Sequence, residues 1–129
     1  MARYDKYDPI SGGFRAKLNA DWAKADEGIP FGVSLNASGR VVKGTAGQSG
    51  LVGVLVVDKT VGDVPHLKAG DVVDVMTSGE IVEVTDPDLA AGTAYFAAAG
   101  GAIGTSGGAV GWTVEDTRLV VRVTKGASA

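Results

Sequence analysis

The chain has 129 residues and a mass of 13.0 kDa, which fits one domain and leaves little room for a second hydrophobic core. Hydrophobic residues make up 45% and charged residues 21%, a composition of globular rather than disordered proteins. The absence of cysteine excludes disulfides, thiolate metal sites and a cysteine nucleophile. The net charge of −3 argues against a nucleic-acid partner, since such binders carry basic patches.

The apolar segments argue against a membrane partner and against secretion. The longest apolar run covers residues 51–57 and contains Gly53, so it is far shorter than the about 20 residues that cross a membrane. Residues 1–13 lack the apolar core of a secretory signal peptide.

The residue types favour strands over helices. The chain has 19 valines against 7 leucines, and β-branched side chains suit a pleated surface better than a helix. Its 20 glycines suit tight turns. We therefore predict an all-β fold, a small β-barrel or β-sandwich of about seven to nine strands, without a helix longer than about three turns.

Residues 1–30 differ from the rest of the chain and are predicted to form an extended N-terminal arm, with residues 31–129 as the β domain. This segment carries five basic and five acidic residues and four of the chain's eight aromatics. Pro9 and the pair Gly12-Gly13 interrupt it, and aliphatic residues are few. Because it buries little apolar area, we expect loose docking in the free protein. Two interpretations stay open: a loosely packed first strand, or an arm whose aromatics anchor on a partner.

Short β segments separated by glycine follow from Phe31 onward. Strands are predicted at 32–35 and 40–43, joined by a turn, and at 51–57. A hairpin is predicted from 71–77 and 80–85, joined through Ser78-Gly79, because valines alternate along both segments. The last predicted strand covers 118–124.

Part of the β domain occurs twice. Residues 32–41 align with 93–102, and residues 50–56 align with 108–114. A glycine-rich loop separates the two segments in each copy. The pattern indicates either a duplicated unit within one barrel or sandwich, or a coincidence among Gly, Ala and Val.

Acidic residues concentrate in the middle of the chain, where six fall within 18 residues: Asp71, Asp74, Glu80, Glu83, Asp86 and Asp88. Paired carboxylates can bind a hard cation or perform acid/base chemistry. Their spacing matches no calcium loop, and the alternation would place most of them on the outer face of the predicted hairpin. We therefore predict a solvated acidic face and no metal.

The remaining candidates for chemistry also favour structural roles. His66 is the only histidine, and no serine lies in a nucleophile-elbow context that could make a triad with it. The glycine-rich stretches 44–50 and 100–108 lack the Gly-Lys-Ser/Thr of a phosphate-binding loop. We predict neither an enzyme nor a cofactor.

Several segments together resemble a known class of proteins. They are Gly32-Val-Ser-Leu, Gly39-Arg-Val, Gly53-Val-Leu-Val, Lys68-Ala-Gly-Asp-Val-Val-Asp-Val75, Ser78-Gly-Glu-Ile-Val82 and Val110-Gly-Trp-Thr-Val114. This succession resembles the head decoration proteins, or capsid cement proteins, of tailed bacteriophages. The opening Tyr7-Asp-Pro-Ile-Ser-Gly-Gly-Phe14 and Asp21-Trp22 look like the N-terminal arm of such proteins in phages of actinobacterial hosts.

The resemblance implies a β-rich virion protein, made in the host cytoplasm, that binds the capsid exterior. Such a protein would stabilise contacts between capsomers of the major capsid protein, often as a homotrimer. A cement protein needs area, shape and an extension across a subunit boundary rather than a catalytic group. The candidate capsid-binding residues lie in the arm: Tyr4, Tyr7, Pro9, Phe14, Arg15 and Trp22.

The alternative is a β module of a phage tail or fibre that binds carbohydrate or another small ligand. Sugar binding requires aromatics exposed at a common groove. Trp112 with Tyr95 is the plausible pair in the β domain. A trimeric β nucleotide hydrolase is a third candidate, but the chain lacks the Asp/Ser/Tyr motifs of that chemistry.

Overall fold

A computed structural model describes residues 3–4, 12–62, 64 and 66–124, and for residues 3–4 it describes the backbone alone. The predicted all-β fold is confirmed, although the described part has more strands than the seven to nine expected. Eleven strands lie in this described part: β1 (Arg3–Tyr4), β2 (Gly13–Lys17), β3 (Phe31–Leu35), β4 (Val41–Lys43), β5 (Leu51–Leu55), β6 (Val72–Met76), β7 (Ser78–Val82), β8 (Ala94–Ala97), β9 (Ile103–Gly104), β10 (Gly108–Thr113) and β11 (Leu119–Arg122). One three-residue 3-10 helix, Lys24–Asp26, is the only helix among the described residues, and it is too short to cross a membrane.

The strands form two antiparallel sheets. The first sheet has the order β2-β6-β5-β3-β4, and the second has the order β1-β7-β11-β10-β8-β9. A bridge between Leu18 and Val41 joins the two ends of the first sheet, where the Asn19 amide donates to the Val41 carbonyl at 2.9 Å. The first sheet is therefore rolled into a small barrel, and the second sheet covers one side of it.

The predicted hairpin at residues 71–85 is wrong. Strands β6 and β7 belong to different sheets, and Thr77 alone separates them. The amide and hydroxyl of Thr77 both donate to the Gly12 carbonyl, at 2.7 and 2.8 Å. Ser78 and Gly79, expected in the turn, begin β7 and pair with Arg122 and Val121 of β11. The alternating valines predict which side chains share a face, but they do not identify the partner strand.

The predicted repeat is present in the fold and extends beyond the aligned segments. Strands β2 to β6 take the order β2-β6-β5-β3-β4, and strands β7 to β11 take the order β7-β11-β10-β8-β9. Each strand of the second set thus has the same position in its sheet as the strand numbered five lower has in the first set. The described strands form one five-stranded unit used twice, with β1 added at the edge of the second copy.

Two hydrophobic cores follow from this arrangement. The inner core fills the barrel of the first sheet and includes Leu18, Trp22, Val33 and Val75. The core between the sheets joins residues of β5 and β6 to the inner face of the second sheet; it includes Val54, Met76, Ile81, Tyr95, Val110, Leu119 and Val121.

The N-terminal region differs from the expected loose arm. Strand β2 pairs with β6 along its whole length, from Gly13 opposite Met76 to Lys17 opposite Val72. Leu18 and Trp22 are buried in the inner core. The β domain thus begins at Gly13 rather than at Phe31. The few apolar residues of this segment are enough to pack it, because residues distant in sequence complete their burial. Residues 1–2 and 5–11 of the predicted arm lie outside the described residues.

Candidate interaction surfaces

The structure separates the predicted capsid-binding residues. Phe14 packs against the inner core, and Trp22 is only 2% exposed within it. Arg15 lies on the outer side of β2, where its Nε donates to Asp74 at 2.7 Å, and both side chains are largely exposed. Tyr4 belongs to β1, opposite Ile81. Tyr7 and Pro9 fall outside the described residues.

Trp22 is held by its own domain. Its ring meets the Phe31 ring edge to face, with centroids 5.8 Å apart. The Lys43 ammonium lies 4.4 Å from the Trp22 centroid and also pairs with Asp26. Trp22 lines a cavity of about 160 Å³ in the seam between residues 18–22 and β4, and its indole N–H has no partner among the described residues. Trp22 would have to leave the core in order to anchor on another protein, so the expectation that it is available as an anchor is wrong.

The aromatic pair proposed for sugar binding does not form a groove. Trp112 pairs with Ala94, whereas Tyr95 is opposite Gly111, so the two rings lie on opposite faces of the second sheet. Tyr95 is buried, and its hydroxyl accepts a hydrogen bond from the Ala90 amide at 2.7 Å. The two aromatics therefore cannot stack on one sugar ring.

The outer face of the second sheet carries an exposed apolar row. Trp112 is opposite Ala94 on one side and Val120 on the other, and Val120 is opposite Glu80. The Trp112 side chain remains 44% exposed. We call Ala94, Trp112, Val120 and the nearby Val114 the Trp112 face.

Charged side chains border the Trp112 face. Arg118 donates to Glu115 at 2.7 and 3.0 Å and to Glu80 at 3.1 Å. The Arg118 guanidinium lowers the pKa of the Glu115 carboxyl, and Glu115 in turn raises the pKa of Arg118. Arg122 donates to the Ser78 hydroxyl on the same side of the sheet. These positively and negatively charged side chains provide polar partners at the edge of an apolar patch, as in the rim of a protein interface.

A buried carboxylate joins the N-terminal region to the loop after β5. Glu27 Oε1 accepts from Lys24 at 2.9 Å and from both the amide and the hydroxyl of Thr60 at 3.1 Å, and its Oε2 lies 3.1 Å from His66 Nδ1. The Lys24 hydrogen bond is the main cause that lowers the Glu27 pKa to about 2; Thr60 and His66 act in the same direction, and burial opposes them. His66 thus contacts a buried carboxylate of the N-terminal region. No pattern in the sequence indicates the other members of this cluster.

The acidic residues of the middle segment do not form the single solvated face that was expected. Asp74 lies on the first sheet and pairs with Arg15, whereas Glu80 lies on the second sheet and pairs with Arg118. Within the described ranges, no group of three or more acidic or histidine side chains is arranged to hold a metal ion. Apolar side chains are also exposed elsewhere, at Val61, Val64 and Val72.

Comparisons with known proteins identify a match in fold. No family model matches the chain, and no curated protein matches it. A solved structure of a chain from Mycobacterium phage Patience matches with a TM-score of 0.81 and 21% sequence identity. The match covers 96% of each chain. The two chains therefore share one fold over nearly their whole matched length.

Proposed function

We propose that this chain is a structural virion protein of a tailed bacteriophage, which binds the outer surface of the capsid and stabilises contacts between capsomers of the major capsid protein. The observation that carries the proposal is the match in fold to a mycobacteriophage chain over 96% of both chains. The sequence segments that resemble head decoration proteins support the finer assignment.

The use of the charged side chains supports a structural rather than an enzymatic role. His66 and Glu27 bind each other and the loop at Thr60. Asp74 is engaged by Arg15, and Glu80 is engaged by Arg118. These groups hold strands and loops together, which suits a protein whose task is to keep its shape on a particle under pressure.

The proposal includes self-association as a trimer on the capsid exterior, with the N-terminal residues Tyr4, Tyr7 and Pro9 contributing to attachment. Many copies on one particle make a modest affinity per site effective, because neighbouring attachments reinforce one another.

Purified protein added to expanded capsids that lack it provides the test. We expect co-sedimentation that saturates at a fixed ratio to the major capsid protein, and decorated capsids that survive higher temperatures than bare ones. Absence of the protein from purified virions, together with failure to bind capsids, would contradict the proposal.

A further inference from the structure

The repeat places Val54 and Trp112 at equivalent positions. Residues 50–56 align with 108–114, which matches Val54 with Trp112 and Val56 with Val114. The sheets agree, because Val54 is opposite Met76 of β6 and Trp112 is opposite Val120 of β11, the strand equivalent to β6. Met76 and Val120 are therefore equivalent as well.

The equivalent positions differ sharply in burial. Val54 is 0% exposed and Trp112 is 44% exposed, although a tryptophan ring has far more apolar surface to lose. Val56 and Met76 are buried, whereas Val114 is exposed and Val120 is half-buried. Leu55 follows Val54, Thr113 follows Trp112, and both are buried. The same positions of the two strands therefore face inward.

The partner of the first unit's outer face is an apolar sheet. Val54, Val56 and Met76 pack in one core with Tyr95, Ala97 and other inner-face residues of the second sheet. The approach is close at Gly32, where an added Cβ would lie 2.4 Å from the Ala97 Cβ. The equivalent face of the second unit has no such cover from the described part of the chain.

We infer that the Trp112 face is the surface with which this protein docks on the capsid, and that its partner there is an apolar sheet face of the major capsid protein. This inference rests on the proposed function and names the surface that performs it. The kind of partner follows from the equivalent face, which is covered by an apolar sheet. A buried tryptophan at the centre of an interface is among the residues that contribute most to affinity.

A second copy of this chain does not fit the same role. A second copy could cover the Trp112 face, in the way that the second sheet covers the first unit, only with an exposed inner sheet face. In each copy, that inner face is already covered by the copy's own first sheet. The Trp112 face also has few side chains, whereas a stable isolated interface uses about 20–30 residues on each side. A small patch suits a capsid, where several attachments act together.

The position of the N-terminus agrees with this choice. Strand β1 pairs with β7 at the edge of the same second sheet, opposite Ile81 and Val82. The row from Ala94 through Trp112 and Val120 runs across the sheet towards Glu80 of β7. The backbone of Arg3 and Tyr4 thus lies at the edge of the sheet that carries the Trp112 face.

The test compares two substitutions of exposed apolar residues on opposite sheets, Trp112→Lys and the matched control Val72→Lys on β6. Circular dichroism and melting temperature establish that both variants fold. We expect Trp112→Lys to weaken binding to expanded capsids tenfold or more and Val72→Lys to bind within about twofold of the original protein, with the oligomeric state of both unchanged in light scattering.

Three other outcomes would overturn the inference. If the original protein binds and Trp112→Lys binds equally well, the Trp112 face is not the docking surface, although the proposed function stands. If Trp112→Lys instead lowers the oligomeric state, the face is an interface between copies. If the original protein fails to bind capsids, the proposed function is wrong and the inference falls with it.

Discussion

The Lys43 ammonium lies 4.4 Å from the centroid of the Trp22 ring, inside the same domain. A cation over the face of an aromatic ring is attracted by the ring's quadrupole, and the attraction strengthens when water is excluded. Lys43 belongs to β4, at one end of the first sheet, and Trp22 follows β2, at the other end. The contact therefore helps to hold the barrel closed beside the Leu18–Val41 bridge.

The first prediction concerns the stability that Trp22 provides. Trp22→Ala removes a fully enclosed ring and should lower the free energy of unfolding by about 3–5 kcal/mol, as measured by urea denaturation. Arg15→Ala is the control, because it breaks an exposed ion pair and should cost at most about 1 kcal/mol. Equal small losses in both variants would show that Trp22 is not a core residue.

The second prediction distinguishes the two parts of the N-terminal region. Deletion of residues 2–11 leaves β2 in place, so the β domain should stay folded while capsid binding weakens. Deletion of residues 2–22 removes β2, Leu18 and Trp22 and should unfold the protein. Circular dichroism and capsid co-sedimentation measure the two effects. A cooperatively folded 2–22 deletion would contradict the packing of β2 against β6.

Residues 14–18 have an alternating pattern that predicts a strand, although the composition of the N-terminal region does not show it. Phe14, Ala16 and Leu18 alternate with Arg15 and Lys17, which is the period of a strand with one face buried. The balanced charges favoured the interpretation as a loose arm, but the charges occupy the outer positions of β2. The burial of Trp22 could not be predicted locally, because its neighbours Phe31, Lys43 and Leu67 come from elsewhere in the chain.

The third prediction tests the repeat through two glycines. Gly53 and Gly111 are equivalent, and a Cβ at either would collide with the neighbouring strand: 2.6 Å from the Met76 carbonyl oxygen and 1.8 Å from that of Val120. Gly53→Ala and Gly111→Ala should each destabilise the protein by about 1–3 kcal/mol or more, because the strands must separate.

Gly100→Ala is the matched control, since nothing lies within 4 Å of the added Cβ. It should leave the urea midpoint nearly unchanged. A tolerated alanine at Gly53 or Gly111 would indicate that the neighbouring strands are less closely packed than described.

Sheet partners were harder to predict than strands. The strands at 31–35, 41–43 and 51–55 lie where valine and glycine patterns placed them, because strand formation follows the local alternation. The pairing of β6 and β7 was predicted wrongly, since the short connection at Thr77 changes sheets instead of reversing the strand. The sequence repeat aligns Trp112 with Val54. It does not predict that Trp112 is exposed, because exposure depends on which face of each sheet is covered by the other sheet.

The fourth prediction concerns acid stability. The pKa of Glu27 is lowered from 4.5 to about 2 in the folded protein, so folding favours its charged form. This contribution is complete above the unfolded pKa of about 4.5 and is lost as the pH falls towards 2. Glu27→Gln should lower the melting temperature at pH 7, and the difference from the original protein should shrink between pH 5 and pH 3.

The control is Asp88→Asn, a substitution of an exposed carboxylate far from Lys24 and Thr60 in sequence. Its melting temperature should follow that of the original protein across the same range. A Glu27→Gln difference that stays constant with pH would mean that the charge of Glu27 does not contribute to stability.

The most direct test of the account is the binding of the purified protein to expanded phage capsids that lack it, imaged by electron cryomicroscopy. We predict density for the β domain on the outer surface, at fixed positions between capsomers, with the second sheet towards the shell. Capsids that remain bare at saturating protein concentration would contradict the central claim that this chain is a capsid-binding virion protein.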